Sequence, residues 1–496
     1  MLDSDQRTLG TEAPAAGAAG AVGPAADGSS GRGRWGARLG RLLAAHWPLV
    51  IVLTGGAVLR AMVVYAYWPA FWFSDDSRQY LIAMHDLRPG VTGRANGIGY
   101  PTVLRILSHT HSLAVVAIVQ HLAMLVLAAG IYALLRRRGV VNWLAAAATL
   151  PTLFDERQLV TEHYVLSDTM FIFLVVSALI LLLWQERPGV LAHACVGVLL
   201  VAATVTRTVG VSLLAVVALY LLVRWVGWRR LAAFGLTVLV TFGGYLLWNH
   251  AETGSFAMSP KQGRFLYSRV GSIADCGQLE LTASQRALCP ERPLGQRPDR
   301  GDYYVWLDPE LKQIPDTQDY RFAGFASAVI HQQPLDYAGL IAGDLAKYLL
   351  PGQEFGKQTR CLARWSTFPP QLGTKRPVCQ PFTASSEGFD PNPASVRTDR
   401  SVPLQNTLHT YSQHVRTPAS ALGLAVLLAV AAVAWRPRRG RLRDGLDSLL
   451  LVGCGLALLV VSVATTMFSI RYGVPPLTLI AMGGVLATHR IVRTFR

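Results

Sequence analysis

Apolar residues in this chain run in blocks of membrane-crossing length. Blocks at about 47–67, 112–135, 140–154, 165–184, 189–206, 209–226, 231–249, 418–435, 446–468 and 473–489 predict about ten transmembrane helices, because crossing the hydrocarbon takes roughly 17–25 apolar residues. The block at 140–154 is the shortest. Two long polar stretches interrupt the pattern, 68–111 and 250–417. The fold class expected is an all-α polytopic membrane protein. It comprises a polar tail (1–46), an N-terminal module of seven spans (47–249) with its first outer loop at 68–111, an extracytoplasmic domain (250–417) and a C-terminal module of three spans (418–496).

Composition agrees with the pattern. The chain is 51% hydrophobic and 15% charged, whereas soluble domains carry roughly 25% charged residues. A net charge of +16 would suggest nucleic acid in a soluble protein, but here the arginines cluster at the ends of apolar blocks, so the charge reads as topology and no nucleic-acid partner is expected. With the N-terminus in the cytoplasm, Arg136, Arg137 and Arg138, then Arg224, Arg229 and Arg230, then Arg436, Arg438, Arg439 and Arg441, and finally Arg490, Arg493 and Arg496 all fall on the cytoplasmic side. The reverse orientation would export every one of them. The tail, rich in Ala, Gly and Pro, reads as disordered, and the first apolar block lies too far from Met1 for a cleavable signal.

This orientation places residues 68–111 and 250–417 outside, where chemistry is expected. The larger stretch holds Cys276, Cys289, Cys361 and Cys379. In an oxidising compartment these suggest two disulfides, with local pairs Cys276–Cys289 and Cys361–Cys379 favoured over free thiols, and no spacing favours zinc. Residues 319–350 show helical spacing, with Phe322, Phe325, Ile330, Leu335, Leu340, Leu345 and Leu349 near one side, while 351–400 reads as irregular.

Candidate chemistry gathers at the outer ends of the blocks. FWFSDDSRQY carries Asp75 and Asp76 directly after an aromatic belt. A partly desolvated carboxylate there can take a proton from a hydroxyl, the general-base step of sugar transfer, or a residue such as Ser74 or Asp75 can cap a helix. GIGYP at 97–101 marks the end of one interfacial helix and the start of another, and Arg88 and Arg94 nearby could contact a lipid phosphate or simply sit at the headgroups. DERQLVTEHYVLSDTMF brings Asp155, Glu156, Glu162, His163 and Asp168 to the same boundary. Glu162 and His163 could orient an acceptor or bind a phosphate, and Asp168 could do likewise or cap a helix. Arg207 in TRTVG and Arg471 in SIRYGVPP, with Tyr472 beside it, need anionic partners: either protein carboxylates such as Glu162 or Asp168, or a phosphate headgroup.

DSRQY at 76–80 followed by GYP at 99–101, SDTMF after an acidic segment, WNHAETGSF after the seventh block and RYGVPP near the end, in this order, resemble the GT-C superfamily of polyprenyl-phosphate-sugar-dependent glycosyltransferases, which includes protein O-mannosyltransferases and aminoarabinose transferases. The resemblance implies an inverting sugar transfer from a polyprenyl-phosphate donor to an extracytoplasmic acceptor such as a cell-envelope glycan, lipid, protein or secreted metabolite. Asp76 would act as base with Asp75 as its helper, although Ser77 stands where the family often has Glu. No cofactor is required on this reading; related oligosaccharyltransferases use a metal, which leaves room for a divalent ion between carboxylates. No nucleotide-binding Gly-rich loop or serine elbow is present in the sequence. The rival readings are a transporter or flippase of lipid-linked sugars, for which internal repeats are missing, and a polysaccharide polymerase or ligase, which leaves the acidic first loop unexplained.

Overall fold

The computed structural model describes residues 44–90, 97–298, 301–352, 356–374, 379–384, 389, 401–434 and 442–495. Among these the chain is helical, with two isolated bridges, Phe71 with Tyr164 and Trp72 with Phe382, in place of strands. Five helices are long and apolar enough to cross a membrane: Trp47–Ala66, Leu113–Arg137, Trp228–Thr253, Gly445–Thr465 and Ile470–Arg493. A sixth span arises if Val402–His414 and Ala419–Ala434, bent by 46°, are taken together. The bend falls at Pro418, which has no N–H to continue a helix. The chain is thus a multi-pass membrane protein.

The expected ten spans are not all realised at full length. Asp168–Leu183, Val190–Thr206 and Thr208–Val223 are apolar helices shorter than 18 residues. The block at 140–154 divides into Asn142–Ala147 and Leu150–Phe154, of 6 and 5 residues. Pro151 sits in the first turn of the second piece, where it cannot donate to the preceding turn. This pair leads into the polar helix Glu156–His163, which the hydropathy pattern alone does not separate from its surroundings.

The main core is built from Leu113–Arg137, Asp168–Leu183, Val190–Thr206 and Val211–Val223, closed by Leu450, Leu451, Cys454 and Leu458 from the penultimate span and Leu479 and Met482 from the last. A second, aromatic core lies beneath the 68–111 loop. Tyr67, Phe71, Tyr80, Tyr100 and Tyr164 meet Trp365, Phe368 and Phe382, which come from the stretch expected to be irregular. The described part of that stretch holds a short helix, Lys357–Ala363, and a 3-10 turn, Arg364–Ser366, and is otherwise irregular yet packed: Trp72 N–H donates to Phe382 O at 2.7 Å, and Phe368 stacks on Tyr67 at 5.3 Å. Gly97 and Gly99 explain GIGYP, because a Cβ at either would collide with Val205 or Thr206 at the end of Val190–Thr206. The motif thus brings the loop against the backbone that carries Arg207.

Within 250–417, Gln262–Val270 and Asp319–Gln332 pack through Tyr267, Phe322 and Phe325. Asp319 anchors the first of these helices by accepting the N–H groups of Gly263 (2.6 Å) and Arg264 (2.9 Å). Both expected disulfides are formed, Cys276–Cys289 with Cα atoms 6.2 Å apart and Cys361–Cys379 with 5.2 Å. Leu335 departs from the expected apolar side and is 85% exposed.

Candidate active site

The helix Ser74–Ala83 emerges from the aromatic strap 71–73 with Asp75 and Asp76 in its first turn. Its start is not capped by Ser74 or Asp75: the residue before it is Phe73, whose N–H donates to Ser77 Oγ at 2.8 Å. Asp75 faces outward, whereas the Asp76 side chain is 39% exposed and turns toward the last span. Arg471 meets it there, on a single 3-10 turn, Ile470–Gly473, that opens the last helix.

Four charges converge at this point. Arg471 donates through Nη1 to Asp76 Oδ2 at 2.7 Å, and through Nε and Nη2 to Asp168 Oδ2 at 3.0 and 2.7 Å. Arg207 pairs with Asp168 Oδ1 at 2.5 Å. Asp168 opens its helix after Ser167 and makes no side-chain cap, so the expected capping role gives way to ion pairing. The guanidinium of Arg471 lies 4.6 Å from the Phe73 ring centre, and that of Arg207 5.7 Å from the Tyr472 ring. Beneath them Tyr80 O–H and Ser167 Oγ are 2.8 Å apart. Burial pushes the Tyr80 phenol up to about 12, so it remains a neutral hydrogen-bonding group.

Arg471 has five N–H donors and spends three on these carboxylates; Asp76 Oδ1 accepts no hydrogen bond among the described residues. The site therefore has unused donors beside an unused acceptor. It does not fit a resident metal: the position between the two carboxylates is filled by Arg471, and no group of three or more His, Cys, Asp or Glu side chains among the described residues could hold an ion.

Glu162 and His163 are placed elsewhere and are fully buried. Arg60, from the middle of the first span, binds Glu162 through Nε at 2.8 Å and Nη2 at 2.7 Å, and gives its remaining N–H groups to the carbonyls of Gly56, Leu153 and Thr152. His121 Nδ1 lies 2.8 Å from Glu162, His121 Nε2 lies 3.2 Å from His163 Nδ1, and His163 Nε2 lies 2.7 Å from Tyr67 O. Burial and the neighbouring His121 hold His163 down at about 3, so its imidazole is neutral. This network fixes the strap, since Phe71 N–H donates to His163 O at 2.9 Å.

The other expected residues scatter. Arg88 forms an exposed fork with Asp86, whose hydrogen bonds to Arg88 hold that carboxyl down at about 2. Arg94 lies outside the described residues. Asp155 caps Glu156–His163, accepting from Arg157 N and from Thr417 N. Glu156 is buried against Arg416, and burial raises its carboxyl to about 8. Sequence reasoning passed over Arg60, Gln120, His121 and Asp447. Their signal was available: a lone polar residue inside an apolar block is costly unless it meets a partner in the bundle.

The sequence matches no protein-family model and no curated protein. Among solved structures, the chain is similar to ArnT from Cupriavidus metallidurans bound to undecaprenyl phosphate, at 15% identity over 90% of this chain and 78% of that one, with a TM-score of 0.31. The apo form of the same protein gives 14% identity, 90% and 77% coverage, and again 0.31. A likeness at this score leaves the family unassigned.

Proposed function

We propose that this protein is an inverting membrane glycosyltransferase that moves a sugar from a polyprenyl phosphate to an acceptor outside the cytoplasm, with Asp76 as its base. The observation that carries this reading is the incompletely used Arg471, with two N–H donors left beside the half-exposed Asp76. A phosphate leaving group needs such donors, and a hydroxyl nucleophile needs such an acceptor. Asp76 Oδ1 takes the acceptor's hydroxyl proton. The acceptor oxygen then bonds to the anomeric carbon as the carbon–oxygen bond to phosphate breaks, leaving its electron pair on the phosphate. Arg471 and Arg207 balance the charge that collects there. Tyr472 holds Arg207 in place, and Asp75 tunes the approach of the acceptor.

The orientation with both termini in the cytoplasm and the site outside is supported by Arg136, Arg137, Arg138, Arg224, Arg229 and Arg230 at the other end of the bundle, together with Trp184, Trp225 and Trp228. The test is transfer from synthetic polyprenyl-phosphate sugars to a membrane extract by purified wild type and Asp76→Asn. Loss of at least ~100-fold in a folded variant is expected for removal of a general base. An active Asp76→Asn protein, or a wild type inactive with every donor, would turn the reading toward transport of lipid-linked sugars.

A further inference from the structure

The end of the bundle remote from Arg471 holds a second polar pocket that sugar transfer does not use. Asp168–Leu183 has 16 residues, so at 1.5 Å per residue its two ends lie about 24 Å apart. Asp168 stands at one end. At the other a cavity of about 280 Å³ opens between the turns at 184–189 and 224–227, lined by Arg187, His193, Arg224 and Arg230 among others. Glu186 is the one acidic residue on its wall.

The polar groups here are unequally satisfied. Arg224 is committed to Asp447, at 2.7 Å, and to the Tyr220 hydroxyl. Arg187 and Arg230 have no carboxylate partner among the described residues; Arg230 reaches only Val226 O, at 3.2 Å. His193 is wholly buried, and its Nδ1 lies 2.8 Å from Gly189 O, which places the proton on Nδ1. Nε2 is then an acceptor, buried and without a hydrogen-bond partner. Two arginines without carboxylates call for an anion, and the orphaned nitrogen calls for a hydroxyl. Trp225, held at φ +49° and 91% exposed at the cavity's edge, supplies an aromatic anchor at headgroup depth.

We propose that this pocket binds a phosphate carried by a hydroxylated headgroup, the chemistry shared by phosphatidylglycerol and soluble glycerol phosphate. Basic pockets between membrane helices suit such headgroups. Arg187 and Arg230 hold the phosphate, and His193 Nε2 accepts the headgroup hydroxyl. The site lies at the opposite end of the bundle from the proposed catalytic residues, so its ligand is separate from the sugar donor.

Native mass spectrometry of the full chain in detergent tests this, with phosphatidylglycerol, phosphatidic acid and phosphatidylcholine as probes. Phosphatidylglycerol should bind at least about tenfold better than phosphatidylcholine, and R187Q/R230Q should remove most of that preference. His193→Phe should lose discrimination between phosphatidylglycerol and phosphatidic acid while still binding both; if it fails to fold, His193→Gln, which keeps an acceptor, should preserve the discrimination. Displacement by millimolar glycerol phosphate identifies a soluble ligand and resistance to it a lipid, and either supports the pocket. Equal binding of phosphatidylglycerol and phosphatidylcholine, or an R187Q/R230Q protein with unchanged preference, overturns it.

Discussion

Two arginine–carboxylate clusters have acids only a few residues apart in the sequence, Glu162 and Asp168, yet they differ in what they leave unused. Around Glu162, Arg60 spends all five of its N–H donors, two on the carboxylate and three on backbone carbonyls. Around Asp76, Arg471 spends three. The Glu162 side chain is wholly buried, whereas the Asp76 side chain is 39% exposed. A saturated cluster can only hold structure. An unsaturated one has capacity for a ligand, so the count of spent donors separates the two more sharply than the presence of charge.

The largest stability effect should come from the saturated side. Glu162→Ala leaves Arg60 buried without its carboxylate, a loss of about 3–5 kcal/mol, which a fall in the thermal unfolding midpoint in detergent would register. Asp76→Ala should leave that midpoint nearly unchanged while abolishing transfer; a large drop would mean that Asp76 is structural and would dissolve the contrast. Next comes Glu156. Its carboxyl titrates at about 8 in the fold against an ordinary 4.5, so the folded state holds the extra proton between those values. Stability should therefore decline as pH rises from about 4.5 to about 8, and Glu156→Gln should flatten that part of the profile in unfolding scans. The smallest effect is expected at the exposed Arg88–Asp86 pair: Arg88→Ala should change neither the unfolding midpoint nor transfer, because solvent screens such pairs.

Much of the scaffold was legible in the sequence. Apolar block length located the long spans, and the four cysteines of 250–417 paired locally as expected. The break at 140–154 could have been read from Pro151. The candidate site was only half legible. Block boundaries brought Asp76, Asp168, Arg207 and Arg471 to one face, but they could not tell which carboxylate meets which arginine, since that depends on how helices lie beside one another. Glu162 looked equivalent to Asp168 because its partner Arg60 was hidden inside a block read as purely apolar. The burial of Trp365, Phe368 and Phe382 against the 68–111 loop was out of reach, since one 3-10 turn and the loop segments around it are too short to carry a periodicity that betrays a packed face.

The order in which partners are synthesised also distinguishes the clusters. Arg60 and His121 precede Glu162 by 102 and 41 residues, so that network can close as soon as its acid is made. Asp168 waits for Arg471, 303 residues downstream, which at about 5–20 residues per second is roughly 15–60 s of translation. During that interval Arg207 is its one nearby cation from the pair that later holds it. The site is completed only by the last span, so a chain cut short before Arg471 would keep its sealed network and carry an unfinished centre to quality control.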